Sequence, residues 1–161
     1  MTVAEDIMEI DEDTQKDKYL TFFIKGEIYG IDIRLVTEII GIQPITEVPE
    51  VPAYVKGIIN LRGRIIPVMD MRLRFKKDFL AYTDRTCVIV IEAHDMSLGL
   101  IVDGVAEVLT IPEPEIVPPP ELKTTQNKYI RGIGKTGTGV TLLLDCDKLL
   151  NEKDENVLMN L

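Results

Sequence analysis

The sequence predicts an all-β protein, mainly β with short helices, built as two related small β-barrels of about five strands each. Three observations support this prediction. Short β-rich runs end at Gly, Pro or Asp; the pattern of one half recurs in the other; and both halves contain a proline-rich connector. Closing a sheet into a barrel is the usual way in which small antiparallel sheets lose their unpaired edges.

Two hairpins are visible as pairs of β-rich runs. In residues 18–33, KYLTFFIKGEIYGIDI, the runs flank a Lys-Gly-Glu turn. In residues 86–102, TCVIVIEAHDMSLGLIV, they flank His94 and Asp95. Two β-rich runs joined by a short polar turn are typical of a β-hairpin.

The second hairpin belongs to an internal repeat that spans about residues 19–75 and 86–150. At an offset of 69 residues, four positions of the first half match the second: Gly30 with Gly99, Val36 with Val105, Glu38 with Glu107, and Ile42 with Ile111. After six inserted residues the match resumes at Tyr54 with Tyr129, Gly57 with Gly132, Ile58 with Ile133, and Asp70 with Asp145. The repeat predicts a duplicated scaffold.

The segments between the strands complete the expected architecture. The connectors 43–52 and 112–127 are rich in proline, which cannot donate to a sheet ladder, so they should leave the sheets as extended crossovers. The linker 76–85 contains Phe79, Leu80 and Tyr82, which we expect to be buried, packing the two barrels as one unit. Short helices are predicted near 32–36, at 70–75 and within 145–158, the last with Leu149 and Leu150 facing inward.

One hairpin tip differs from its repeat. The runs GIINL (57–61) and RIIPVMD (64–70) predict two strands buried on both faces, joined at Arg62 and Gly63. Gly63 permits a positive φ at the turn, so Arg62 should be held outside the barrel on a stiff stem. The other copy has the flexible stretch 135–139 at this place, without arginine. This difference suggests that one copy is specialised for a contact.

The chain ends are expected to be tails. Residues 1–17 carry seven acidic residues against one lysine and no aromatic residue, which predicts a disordered acidic tail. Residues 153–161 are expected to form a C-terminal tail after a folded domain at 18–152. No signal peptide is evident, and no apolar run reaches the roughly 18 residues of a membrane span.

The candidates for chemistry have plainer interpretations. His94 is the only histidine and Ser97 the only serine, so neither a histidine metal site nor a serine nucleophile elbow is indicated, and His94 should be a surface imidazole. The glycine-rich stretch 132–139 is followed by β-branched residues and leucines rather than by a helix, so it predicts a hairpin turn and not a phosphate loop.

Carboxylates and thiols are likewise expected to be structural. Asp32, Asp70 and Asp145 each precede a short helical stretch, where a carboxylate caps the first turn. Capping therefore explains them better than a paired-carboxylate catalytic site. Cys87 and Cys146 are far apart and show no metal-ligand spacing, which indicates reduced core thiols. We expect no cofactor and no metal.

Charge and aromatic content argue against nucleic acid as a partner. The formal net charge is −9, aromatic residues make up 6% of the chain, and tryptophan is absent. An anionic membrane surface is disfavoured for the same electrostatic reason. What remains is binding to another protein through the sheet edges and the exposed arginine.

The stretch 57–72, GIINLRGRIIPVMDMR, closely resembles the signature of CheW-like domains, a Gly-x-x-Asn-Leu-Arg-Gly hairpin followed by Pro-Val-x-Asp. The segments 29–39 and 129–133 and the pair Leu144-Asp145 are also similar to that family. The resemblance covers about residues 18–152. The chain has no room for the phosphotransfer, dimerisation and ATP-binding domains that accompany this module in the CheA kinase, or for the receiver domain of CheV.

The resemblance implies two five-stranded barrels that are intertwined in sequence and have no enzymatic activity. It implies a cytoplasmic adaptor, recruited to the inner face of the membrane in receptor arrays, that couples the CheA histidine kinase to methyl-accepting chemoreceptors. The receptor's helical hairpin tip would lie in the groove between the barrels, and a barrel end would pair with the CheA regulatory domain, at residues that remain unassigned. The positions that match the family's receptor-contact region are Val36, Glu38, Gly57, Asn60 and Arg62, and Glu38 is expected to orient Arg62 if the two side chains lie within reach.

Two alternatives stay open on the sequence alone. The same module could serve another chemosensory-type histidine kinase. A double barrel that binds a small molecule is also compatible with the pattern, because barrels can hold ligands, and a deep polar pocket with convergent carboxylates would favour it.

Overall fold

The computed structural model describes residues 12–119, 127–137, 139–150 and 152–161. Its main elements are β-strands, joined by short α-helices and 3-10 helices, and this confirms the predicted fold class. The strands are β1 Lys18–Ile24, β2 Glu27–Asp32, β3 Val36–Gly41, β4 Val55–Leu61, β5 Arg64–Asp70, β6 Cys87–Ala93, β7 Met96–Val102, β8 Gly104–Thr110, β9 Ile116–Val117, β10 Ile130–Thr136 and β11 Gly139–Leu144. The α-helices are α1 Glu12–Gln15, α2 Met71–Arg74 and α3 Glu152–Met159, and the 3-10 helices are Ile33–Leu35, Glu113–Glu115, Asn127–Tyr129 and Cys146–Lys148.

The strands form two sheets that exchange hairpins between the halves of the chain. The five-stranded sheet has the order β3-β6-β7-β5-β4, and the six-stranded sheet has the order β8-β1-β2-β11-β10-β9. Hairpin β6–β7 therefore lies among strands of the first half, and hairpin β1–β2 lies among strands of the second. Apart from the two-residue strand β9, one order becomes the other when the halves are exchanged. Between the described strands, no pairing joins the outer edges of either sheet into a closed barrel.

Each sheet contains one parallel pair at which a glycine allows close approach. Strand β2 runs parallel to β11 with Gly30 opposite Leu143, and β7 runs parallel to β5 with Gly99 opposite Val68. A Cβ atom on Gly30 would lie 3.0 Å from a methyl of Leu143, and one on Gly99 would lie 2.8 Å from a methyl of Val68. The duplicated glycines thus serve the same packing need in both sheets.

The main hydrophobic core lies between the two sheets. It combines buried side chains from the six-stranded sheet, the five-stranded sheet and the C-terminal segment. Neighbouring aromatic rings run through it with centroids 5.3 to 6.2 Å apart: Phe22, Tyr29, Phe75 and Tyr129. Two smaller clusters belong to one sheet each. This shared core is what packs the two sheets as one unit.

A buried arginine joins equivalent residues of the two halves. The guanidinium of Arg74 lies 4.5 Å from the ring centroid of Tyr54 and 4.6 Å from that of Tyr129. Its Nε donates a hydrogen bond to the Leu149 carbonyl at 2.6 Å. The charge is therefore stabilised by two aromatic faces and a carbonyl oxygen, as a buried cation requires.

The linker 76–85 is less buried than the sequence predicted. Phe79 and Leu80 are each 50% exposed, so the expectation that they pack inside was wrong, and Tyr82 is half-buried. The Phe79 ring instead contacts Tyr82 edge-on and lies under the Lys56 ammonium. Since the central core already joins the sheets, the linker can run over the surface with two exposed apolar side chains.

Short helices lie in the described parts of both expected tails. Residues 1–11 of the expected acidic tail lie outside the described residues, but Glu12–Gln15 form helix α1, and the Asp17 carbonyl accepts a hydrogen bond from Ile111 N–H. At the other end, α3 extends through most of the expected tail 153–161 and buries Leu158. Leu149 and Leu150 are buried, as the sequence predicted. Among the helices of the described residues, none is long and apolar enough to cross a membrane.

Candidate functional site: the Arg62–Gly63 hairpin tip

Strands β4 and β5 are joined by a two-residue turn at Arg62 and Gly63. Both residues have positive φ, 53° and 86°, which is the conformation of a tight hairpin turn. The Asn60 side chain supports the turn because its Oδ1 accepts a hydrogen bond from Gly63 N–H at 2.8 Å. The Arg62 side chain is 70% exposed and stands outside the sheet, as the sequence predicted.

Glu38 holds the exposed guanidinium. Its Oε1 accepts a hydrogen bond from Arg62 Nη2 at 2.5 Å, and its own side chain is 26% exposed. Glu38 lies on β3 and Arg62 follows β4, the two strands at opposite ends of the five-stranded order. The ion pair therefore spans the open edge of the curled sheet. An exposed pair of this kind adds only about 0–1 kcal/mol to stability, so its main effect is to orient Arg62.

Strand β3 carries a bulge next to this ion pair. The register of β3 against β6 shifts between Val36 and Glu38, and Thr37 Oγ1 donates to the Val90 carbonyl at 3.1 Å. Val36 is half-buried against the main core between the sheets. Ile39 is 43% exposed beside Glu38, and the sequence did not identify it as a surface residue. Exposed and half-buried residues alternate along β3, but its sequence VTEIIG has no matching alternation of polar and apolar residues, so the sequence offers no signal for Ile39.

Gly57 shapes the hairpin from inside. It is buried with φ 144°, and an added Cβ would lie 2.0 Å from the backbone oxygen of Thr46. At this point the proline-rich connector pairs with β4, because Thr46 and Ile58 exchange two backbone hydrogen bonds of 2.9 Å. Gly57 thus supports the position of the tip, whereas Glu38, Asn60 and Arg62 reach the surface.

The three aspartates all cap short helices. The Asp70 carboxylate accepts hydrogen bonds from Leu73 N–H at 3.2 Å and from Tyr82 O–H at 2.8 Å. Asp145 accepts one from Asp147 N–H, and Asp32 accepts one from Arg34 N–H. Burial and the bond to Asp70 raise the pKa of the Tyr82 hydroxyl well above its ordinary value. These carboxylates are structural acceptors in three separate places.

Comparison with known proteins identifies the family. The model of the CheW-like domain matches residues 18–154. The chain is 36% identical to the chemotaxis protein CheW of Klebsiella aerogenes over 143 residues, covering 88% of this chain and 86% of that one. It is 35% identical to the chemotaxis protein CheW of Treponema pallidum over 147 residues, with the same coverage.

A solved structure agrees with these relatives. The scaffolding protein TtCheW from Thermoanaerobacter tengcongensis matches with a TM-score of 0.80 and 36% identity, covering 86% of this chain and 94% of the other. The chain belongs to the CheW-like domain family. It is a chemotaxis scaffold, or adaptor, and not an enzyme.

The rest of the molecule agrees with a CheW-like domain that works by binding. Within the described residues no group of three His, Cys, Asp or Glu side chains could hold a metal ion. Residues 132–136 of the glycine-rich stretch lie in β10, and β11 begins at Gly139, so a strand and not a helix follows the turn. Burial raises the pKa of the Cys146 thiol to about 12, which leaves it inert at neutral pH.

The cavities bear on the small-molecule alternative. A polar cavity of about 150 Å³ brings together the carboxylates of Asp17, Asp32 and Glu113, but it is smaller than the roughly 300–1,000 Å³ of a typical small-molecule site. The cavity beside the buried carboxylate of Asp70 measures about 30 Å³, room for water and not for a metabolite. A groove of about 330 Å³ lies between β5, β7 and the end of α3. Its wall mixes polar and apolar side chains, and Asp95 is the only acidic side chain among its lining residues, which are Arg64, Ile65, Pro67, Asp95, Met96, Ser97, Leu158, Met159 and Leu161.

His94 makes a contact that the sequence did not predict. The sequence predicted a surface imidazole, and the side chain is 28% exposed, but its ring also packs against the C-terminal segment. Nothing in the sequence near His94 indicates this contact, because its partners Asp147 and Glu155 are more than fifty residues away.

Proposed function

We propose that this chain couples the CheA histidine kinase to the cytoplasmic helical hairpin tips of methyl-accepting chemoreceptors. The receptor contact would be formed by Val36, Glu38, Asn60 and Arg62, with Gly57 supporting the hairpin that carries the last two. One observation carries the proposal: a mostly exposed guanidinium is fixed by a left-handed turn and by Glu38, and the equivalent turn of the other sheet has no arginine. Recruitment to the inner face of the membrane would follow from this contact.

The chemistry of the site suits a helical partner. Arg62 has five N–H donors and uses its Nη2 group to donate to one carboxylate oxygen of Glu38. Its other donors remain for carboxylates or carbonyls on a receptor helix. Ile39 offers an exposed aliphatic surface on β3, the strand that carries Glu38, and Val36 is half-buried where β3 meets the core between the sheets. An apolar anchor flanked by a fixed arginine is a common composition for the centre of a protein interface.

The contact with the kinase would use a different surface. The regulatory domain of CheA has the same fold by the family resemblance, which favours a contact between sheet ends. Each sheet of this chain exposes two aliphatic side chains at positions related by the repeat: Ile39 and Ile65 in one, Val108 and Val140 in the other. We place the kinase contact at Val108 and Val140, because this leaves the Arg62 tip free for the receptor.

Replacing Arg62 tests the receptor contact. Arg62→Ala should weaken binding to a receptor hairpin fragment by about 1–3 kcal/mol, or about 5- to 150-fold, because the truncation removes a central charged contact. Its Tm should stay close to wild type, since the exposed ion pair contributes little stability. Lys135→Ala, in β10 two residues before Gly137, which matches Arg62 in the repeat, is the control and should bind normally.

Isothermal titration with a receptor fragment and pull-down with the CheA regulatory domain separate the two contacts. Arg62→Ala should still capture the kinase domain. Wild-type receptor affinity in Arg62→Ala would remove the site from the proposal. The same pull-down, run with regulatory domains from the chemosensory kinases of one organism, discriminates CheA from another kinase of this type.

A further inference from the structure

The turn between β6 and β7 presents the chain's single histidine to the C-terminal segment. His94 and Asp95 both have positive φ, 53° and 61°, so the turn has a defined shape. The His94 Nε2 atom lies 2.8 Å from the Asp147 carbonyl oxygen, and Nδ1 lies 3.4 Å from Oε2 of Glu155. The ring therefore bridges the hairpin, the 3-10 helix Cys146–Lys148 and helix α3.

The two partners determine which form of the imidazole fits. A carbonyl oxygen and a carboxylate both accept hydrogen bonds, and neither donates. A neutral imidazole has one N–H, so it can donate to one partner and must turn a lone pair towards the other. Only the imidazolium can donate to the Asp147 carbonyl and also place a positive charge beside the Glu155 carboxylate, which Nδ1 contacts as an ion pair at 3.4 Å. The contact therefore favours the protonated ring.

The surrounding charges favour the same form. The pKa of His94 is raised above its ordinary value by the hydrogen bond to the Asp147 carbonyl and by attraction to the carboxylates of Glu155, Asp147 and Asp95, while burial acts against it. These groups face the ring from α3, from the 3-10 helix and from its own turn. All three side-chain charges are negative.

Helix α3 depends on such contacts for its position. At eight residues it is too short to be stable alone. It is held by the buried side chain of Leu158 and by a hydrogen bond from the Tyr54 hydroxyl to Asp154. Its last turn supplies Met159 to the groove of about 330 Å³, opposite Ile65 and Arg64. Arg64 directly follows the Arg62–Gly63 turn and donates to Ser97 Oγ at 2.6 Å.

We propose that His94, Asp147 and Glu155 form a protonation-dependent latch that fastens α3 against the β6–β7 turn. With the ring protonated, α3 is docked and its last turn forms one wall of the groove of about 330 Å³ beside the Arg62–Gly63 turn. With the ring neutral, the ionic attraction to Glu155 is lost and α3 opens more often. Because the folded pKa is raised, the stabilisation is fully present below about pH 6.5 and is lost as the pH rises through the folded pKa.

The single histidine makes the latch directly measurable. Its imidazole resonance in an NMR titration of the full chain should give a pKa above 6.5, and the amide shifts of α3 should titrate with the same midpoint. Glu155→Gln should lower this pKa, because it removes a facing negative charge. Glu115→Gln removes an exposed charge from the 3-10 helix Glu113–Glu115 and should leave the pKa of His94 unchanged.

Hydrogen exchange tests whether the ring controls the helix. After correction for intrinsic exchange rates, the opening equilibrium of residues 153–161 should rise with pH, by about tenfold in total for each unit by which the measured pKa exceeds the ordinary value. His94→Asn keeps a residue that tolerates positive φ and should abolish this dependence. A wild-type pKa at or below 6.5 would overturn the latch, and so would an α3 opening that has the same pH dependence in His94→Asn.

Discussion

The five-stranded and six-stranded sheets follow one plan and differ at their hairpin tips. Both contain a glycine opposite a parallel neighbour, at Gly30 and Gly99. In each sheet, an aspartate at the end of the second hairpin caps the next short helix: Asp70 at the end of β5 and Asp145 directly after β11. The backbone N–H of each aspartate donates to a tyrosine carbonyl at 2.8 Å, Asp70 to Tyr54 and Asp145 to Tyr129. The duplicated residues are those on which the scaffold depends.

The tips show where the copies differ. In the five-stranded sheet, Arg62 is fixed by its turn and by Glu38. In the six-stranded sheet, the residue matching Glu38 is Glu107, which is exposed, and no ion pair links it to Lys135 within the described parts of the chain. A duplicated scaffold can thus keep its fold in both copies while only one acquires a rigid charged contact.

Gly57 and its repeat partner Gly132 provide the strongest test of this comparison. A Cβ on Gly57 would meet the Thr46 backbone oxygen at 2.0 Å, whereas one on Gly132 would meet a methyl of Ile116 at 2.5 Å. The backbone oxygen cannot move without breaking the pairing of the connector with β4, but a side chain can rotate. Gly57→Ala should therefore cost on the order of 3 kcal/mol, and Gly132→Ala about 1–2 kcal/mol.

Urea denaturation of both variants measures the difference. Gly57→Asp adds a charge in the same tight space and should be at least as damaging to the fold or to receptor binding. Equal losses of unfolding free energy in Gly57→Ala and Gly132→Ala would show that the segments facing the two glycines move aside equally easily. A folded Gly57→Asp variant with full signalling would refute the structural role given to Gly57.

The capping aspartates provide the second test. Asp70 is 2% exposed and accepts from both Leu73 and Tyr82, so Asp70→Ala leaves a half-buried hydroxyl without its acceptor and should cost about 2–3 kcal/mol. Asp145 is half-exposed and its side chain caps one N–H, so Asp145→Ala should cost about 1 kcal/mol. Thermal unfolding of the two variants checks the order. The opposite order would mean that burial at Asp70 adds nothing to the cap.

The sequence predicted what depends on local chemistry. The turn at Arg62 and Gly63, the capping role of Asp70 and Asp145 and the burial of Leu149 follow from residue type and spacing. Hairpin patterns alone also predict two β units. They do not predict that hairpin β6–β7 pairs with strands of the first half. The same β-rich runs would be present whether each half kept its own first hairpin or the two halves exchanged them.

The errors concern contacts between distant segments. Phe79 is apolar and was expected inside, but the core between the sheets is filled by other side chains and the linker lies on the surface. His94 lies in a polar turn, and its contact with Glu155 depends on where α3 docks. Strand β5 is buried from Ile66 onward, as predicted, but Arg64 and Ile65 are exposed, and β4 alternates between buried and more exposed residues instead of being covered on both faces. Such contacts are decided by the tertiary packing and not by local pattern.

Glu38 is expected to give the smallest effect, and it decides whether Arg62 is specialised by its turn alone. If Glu38 acts by orienting Arg62, Glu38→Gln should weaken receptor binding by about 0.5 kcal/mol and change stability by no more than that. In the Arg62→Ala background the same change should have no further effect, because the group it positions is gone. Glu107→Gln, at the matching position of β8, is the control and should be neutral. Titration calorimetry on the four variants of the double-mutant cycle measures the coupling. Additive losses would mean that Glu38 contacts the receptor on its own, and the rigidity of the tip would then rest on the positive φ of Arg62 and Gly63 and on the Asn60 side chain.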